Sequence, residues 1–120
     1  MPTILCVDDE NIQRTLLKFA FTGAGFNVIL AEDGQDAVDL AIEHKPDIIL
    51  MDLMMPNKDG IEATREIKAN VDLVHIPIVS YTAVEKGNLT KAVLEAGATK
   101  IIHKTTSPSD LVRQVKELLP

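Results

Sequence analysis

Five short apolar runs constrain this chain more than any other feature: TILCV at 3–7, NVILA at 27–31, DIILM at 47–51, IPIVSY at 76–81 and KIIH at 100–103. Each is largely continuous rather than alternating, the pattern of parallel strands covered on both faces. The segments between them carry helical spacing instead. Ile12, Leu16, Phe19 and Ala20 stand at i, i+4, i+7 and i+8, and Ala37, Val38, Ala41 and Ile42 mark a second such face. Leu111, Val112, Val115, Leu118 and Leu119 form another near the C-terminus. These faces are expected to pack on the sheet. Ser107 followed by Pro108 and Asp110 is a helix start, Gly25 and Gly97 sit where helices should stop, and Pro77 marks the beginning of the fourth strand. The pattern is β-α repeated five times. Such alternation gives an α/β fold, a five-stranded parallel sheet with right-handed crossovers and helices on both faces. The first strand begins at the third residue and the last helix reaches the end, so one domain spanning 1–120 is expected.

Composition narrows what that domain does. No run of eighteen apolar residues is present, and no basic segment leads into an apolar one at the N-terminus. A cytoplasmic protein with no membrane partner is the expectation. A formal net charge of −6 argues against direct nucleic-acid binding, which needs clustered Lys and Arg. Cys6, the only cysteine, falls inside the first apolar run and reads as a small buried hydrophobe.

The chemistry gathers where strands end. The stretch ILCVDDE drives a buried strand straight into Asp8, Asp9 and Glu10, although crowded like charges disfavour ionisation. Ligands of open parallel sheets bind outside the carboxyl ends of the strands, where the strand order reverses. The third strand runs into Asp52, the fourth offers Thr82 and the fifth Lys104. Three carboxylates, a hydroxyl and an ammonium therefore aim at one rim. Converging carboxylates suit a hard divalent cation such as magnesium, which relieves their repulsion. An aspartate at a strand end can attack a phosphoryl group, and a cation and a lysine would neutralise its oxygens. Rival readings fit less well. A phosphatase with an aspartate nucleophile needs a second acid two residues on, where Met54 stands. A flavin phosphate loop would be rich in Ser, Thr and Gly rather than acidic. MPNKDG with Glu66 imitates a calcium loop, but Met55 occupies its first ligand position. His44 and His75 fall in expected loops, and His103 should point away from Lys104.

The motifs VDDE, DIILMDLMMPNKDG, SYTA and IIHK, in this order and spacing, resemble those of response-regulator receiver domains of two-component signalling, of the single-domain, chemotaxis-regulator type. The resemblance covers essentially the whole chain. It implies a flavodoxin-like sheet of order 2-1-3-4-5. It further implies Asp52 as phosphoacceptor, Asp8 and Asp9 as metal-binding pair, and the Met54 carbonyl as a further magnesium ligand. Thr82 becomes the switch hydroxyl and Lys104 the phosphate-contacting ammonium. The phosphodonor would be a histidine kinase or histidine phosphotransfer protein. Such a protein catalyses its own phosphorylation and dephosphorylation without being a conventional enzyme. A downstream protein would bind the face of the fourth helix, fifth strand and fifth helix, with the domain a monomer or weak dimer. A receiver-like adaptor that binds partners without phosphorylation is the alternative.

Two departures from the family pattern stand out. Thr105 follows Lys104 where the family usually has proline after a cis bond, and Ile101 replaces a common aromatic. A trans Lys104–Thr105 bond, a packed Ile101, and a route through Thr82 and the loop from Ala83 to Asn88 are expected. Met54 and Val84, two past the phosphoacceptor and two past the switch threonine, flank the hydrolysing water's path in the family. Both are apolar, so a long-lived phosphoryl group is expected.

Overall fold

The computed structural model describes residues 1–83 and 87–120. Strands β1 (Thr3–Val7), β2 (Asn27–Ala31), β3 (Ile48–Asp52), β4 (Ile78–Thr82) and β5 (Lys100–His103) alternate with five helices. These are α1 (Asn11–Gly23), α2 (Gly34–His44), α3 (Gly60–Lys68), α4 (Gly87–Ala96) and α5 (Pro108–Glu117). All paired strands are parallel, in the order β2-β1-β3-β4-β5, as the resemblance implied.

Two strand boundaries differ from the sequence reading. β3 begins at Ile48 because Asp47 is spent on β1: its N–H donates to the Thr3 carbonyl and its carboxylate accepts the Thr3 N–H. β3 ends on Asp52, where the sequence brings the third strand. β4 starts at Ile78, one residue beyond Pro77, whose carbonyl still accepts the Ile49 N–H. Proline has no N–H to give, so it sits at the strand's edge.

Alternate strand residues feed two apolar layers. Leu5, Val7, Ile49, Met51 and Ile78 pack with Ala37, Val38, Ala41, Ala63 and Ile67 of α2 and α3. Ile4, Cys6, Leu50, Val79 and Ile102 pack with Leu17, Phe21, Leu111 and Val115 of α1 and α5. Cys6 is fully buried, as expected of it.

The face of α1 is corrected. Ile12, Leu16 and Phe19 are 77%, 58% and 83% exposed, while Leu17 and Phe21 are buried. Successive helical residues are offset by about 100°, so Leu16 and Leu17 cannot share a face. Both stripes of α1 have helical spacing, and spacing cannot say which one the β1–α1 connection turns inward. Ile42 is likewise half exposed, outside the buried set Ala37, Val38 and Ala41 of α2.

Helix ends match their residues. Asp33, Asp59 and Ser107 are N-caps whose side chains accept from the N–H groups of Asp36, Glu62 and Asp110. Gly25 and Gly97 lie just beyond α1 and α4 with φ of 93° and 119°, which favours glycine. His44 is the last residue of α2 rather than a loop residue, and it is exposed beside Glu43.

Candidate functional site

Register builds the site. In the centre of the sheet β1 lies beside β3, with Val7 opposite Met51, so the next residues, Asp8 and Asp52, emerge together at the carboxyl edge. Asp8 is fully buried and Asp52 only 5% exposed, whereas Asp9 is exposed. One carboxylate oxygen from each of the three lies within 4.8 Å of the others. The fourth member comes from far along the chain. Lys104 Nζ donates to Asp8 Oδ2 at 3.0 Å and stands 3.2 Å from Asp52 Oδ2. Its backbone N–H donates to the Thr82 carbonyl, fixing the turn after β5 to the end of β4.

The two buried acids are further held. Asp8 Oδ1 accepts the Glu10 N–H at 2.9 Å, and its carbonyl accepts Arg14 Nη1 at 2.7 Å. Asp52 Oδ1 accepts the Leu53 N–H at 2.8 Å, which leaves Oδ2 as the oxygen facing Lys104. Burial pushes the Asp52 carboxyl up; Lys104 pulls it back and the charge of Asp8 adds to the rise, leaving it at about 6 against an ordinary 3.8. For Lys104, burial opposes the charge. Its bond to Asp8 and the negative charges of Asp52 and Asp8 prevail, and the ammonium is held above its usual range.

The remaining sequence candidates are placed as follows. Thr82 is buried at the end of β4, one residue past Tyr81, the strand partner of Asp52. Met54 follows the phosphoacceptor candidate in an exposed loop position. Val84 lies outside the described residues, as does the part of the Ala83–Asn88 loop from 84 to 86. Ile101 is half-buried against the cluster of Leu53, Val93 and Ala98. No peptide bond among the described residues is cis, so Lys104–Thr105 is trans. His103 does not join the acids. Its Nδ1 accepts the Thr105 N–H at 3.1 Å, a bond that proline at 105 could not make.

Two supporting residues escaped the sequence reading. Arg14 gave no signal beyond standing on α1 just after the acids. Tyr81, the only tyrosine, directly precedes Thr82 in SYTA. Its ring lies under Lys104 Nζ, 5.7 Å from centroid to nitrogen, and its hydroxyl meets Gln13 Nε2 at 3.3 Å.

An open, doubly wound parallel sheet with three acids and a lysine at the reversal of strand order defines a class of acidic-pocket α/β domain. Comparison with known families narrows it. The family model for the response regulator receiver domain matches residues 4–116, and the chain belongs to that family. Solved structures agree. The signal receiver domain of a histidine kinase from Syntrophus aciditrophicus is 31% identical with a TM-score of 0.92, over 99% of this chain and 90% of that one. The receiver domain of a sensor histidine kinase from Pseudomonas aeruginosa, with magnesium in its active site cleft, is 32% identical with a TM-score of 0.90, over 97% and 95%. The Vibrio cholerae chemotaxis protein CheY4 is 26% identical with a TM-score of 0.94, over 99% of each chain. The protein is thus a receiver domain of two-component signalling, and no described helix is long and apolar enough to cross a membrane.

Proposed function

We propose that Asp52 accepts a phosphoryl group from the phosphohistidine of a histidine kinase or histidine phosphotransfer protein in the cytoplasm. One observation carries this reading: three carboxylates within 4.8 Å of one another, two of them within reach of a single buried-edge lysine. The donor set fits magnesium, being all carboxylate oxygen with one oxygen from each acid within 4.8 Å of the others. Asp8, Asp9, Asp52 and the Met54 carbonyl would hold the ion, which supplies neutralisation of the phosphoryl oxygens when bound. Asp52 is mostly ionised above about pH 6, and its Oδ2 forms the new O–P bond as the donor's N–P bond breaks. Lys104 then turns from the carboxylates to the phosphoryl oxygens, and the Thr82 hydroxyl bonds the new group. The added charge of about −1.5 to −2 biases a two-state equilibrium of the output surface on α4, β5 and α5. This chemistry acts on the protein itself, so the chain is a signalling protein rather than a conventional enzyme. Incubation with acetyl phosphate and magnesium tests the reading by intact mass. A single phosphoryl adduct is expected, and none should form when a chelator is present from the start. Partner binding without any adduct would instead make the chain an adaptor.

The exposed α1 stripe fits the donor. A groove of about 660 Å³ between α1 and α5 runs from Leu16 and Phe19 to Tyr81 and Lys104, joining an apolar seat to the site. Phe19→Glu is expected to slow transfer from a phosphodonor protein at least tenfold, since it buries a charge in that contact. Labelling by acetyl phosphate should be unchanged. Met54 has no group to orient water, so Met54→Asn is expected to shorten the phosphoryl lifetime severalfold in a timed dephosphorylation assay.

A further inference from the structure

The Met54 side chain is 58% exposed, yet the proposed metal site uses its backbone carbonyl. What fixes that carbonyl must lie elsewhere in the loop from Leu53 to Asp59. At its neck, the Gly60 N–H donates to the Leu53 carbonyl at 2.8 Å. Its far end is tied to a different layer of the molecule, the start of α2. There the Gly34 N–H donates to the Lys58 carbonyl at 3.0 Å, and Asn57 Nδ2 donates to Asp33 Oδ2 at 3.1 Å. The fit is close: a Cβ at Gly34 would stand 2.1 Å from the Lys58 oxygen. Asn57 has a left-handed φ of 67°, a conformation asparagine tolerates better than most residues, so the tip is bent to reach Asp33. Asp33 serves both sides at once, since its Oδ1 caps α2 through the Asp36 N–H at 2.8 Å.

We infer that Asp33 and Asn57 are positioning residues of the metal site, holding the loop that carries the proposed Met54 carbonyl ligand. This rests on the reading that the acids bind magnesium. Groups that orient a metal's ligands without touching the ion commonly change affinity. The pair also links metal binding to α2, which none of the acids contacts through its side chain in any hydrogen bond described above.

Two substitutions isolate the tie. In Asp33→Ser the single hydroxyl oxygen can take the Asp36 N–H, so the cap survives, while the shorter side chain loses the bond to Asn57. Asn57→Gly keeps the left-handed backbone and removes the donor. Magnesium is titrated calorimetrically into each full-length variant, and melting is followed with chelator present. Each is expected to bind magnesium about fivefold more weakly. Metal-free melting of Asp33→Ser should stay near wild type. The double variant should be no weaker than either single one, because both remove the same bond. Wild-type affinity in both single variants, or losses that multiply in the double, overturns the inference. Asp9→Ala separates the two levels. If wild type binds no magnesium, or Asp9→Ala binds as tightly as wild type, the proposed function fails and this inference with it.

Discussion

Asp52→Asn is expected to take up no phosphate from acetyl phosphate while melting higher than wild type in the absence of metal. The first half follows from chemistry: an amide oxygen is no nucleophile, and among the described residues no other carboxylate has Asp52's place beside Asp8 and Lys104. The second follows from the cost of ionising a buried acid. The Asp52 carboxyl lies at about 6 when folded against 3.8 in an ordinary setting. Between those values the folded chain holds a proton that the unfolded chain has released. This group's contribution to stability is therefore complete below about pH 4, declines as pH rises through about 6, and stays low beyond. The difference is on the order of 3 kcal/mol. Asparagine removes the ionisation, so the variant should gain several degrees at pH 7.5 and lose that part of the pH dependence. Labelled mutant protein, or equal melting at pH 7.5, would show that Asp52 has another role.

Gly60→Ala should be strongly destabilising for the addition of a single methyl. A Cβ there would lie 2.2 Å from the Asp52 carbonyl oxygen and 2.9 Å from Leu53 Cα, both backbone atoms that cannot swing aside. Alanine would ordinarily favour the first turn of a helix, by up to about 1 kcal/mol. Here the clash is larger. Forcing backbone apart in a packed region costs about 1–3 kcal/mol and occasionally more, and it would displace the strand end carrying Asp52. Urea unfolding of metal-free protein should show a loss of about 3 kcal/mol, with weakened magnesium binding. Gly23→Ala is the control, since nothing lies within 4 Å of its added Cβ and its stability should hold or rise. Equal behaviour of the two variants would remove the steric account.

These two residues mark where sequence and structure divide. Asp52 was legible because a buried parallel strand seldom ends on an acid, and the family motif around it is specific. The same holds for Asp8, Asp9, Thr82 and Lys104, each at a strand end that apolar runs announce. Glycine at 60 reads as a turn, but nothing in the sequence says that the Asp52 carbonyl passes against it. Arg14, Tyr81 and the Asp33–Asn57 tie were invisible for the same reason: they depend on which surfaces meet. The stripe on α1 was misread because its two apolar faces have equal periodicity.

By itself the sequence determined the alternation of strands and helices, the helix start at Ser107, and the chemical character of the strand ends. Those are local matters, set by hydrophobic period, by capping oxygens and by side-chain chemistry. Only the tertiary structure decided that Lys104 lies 3.0 Å from Asp8, that Leu17 rather than Leu16 enters the core, and that α2 holds the loop beside the acids. Each of those depends on strand register and on the turn leading into a helix, where a shift of one residue changes the face without changing the pattern.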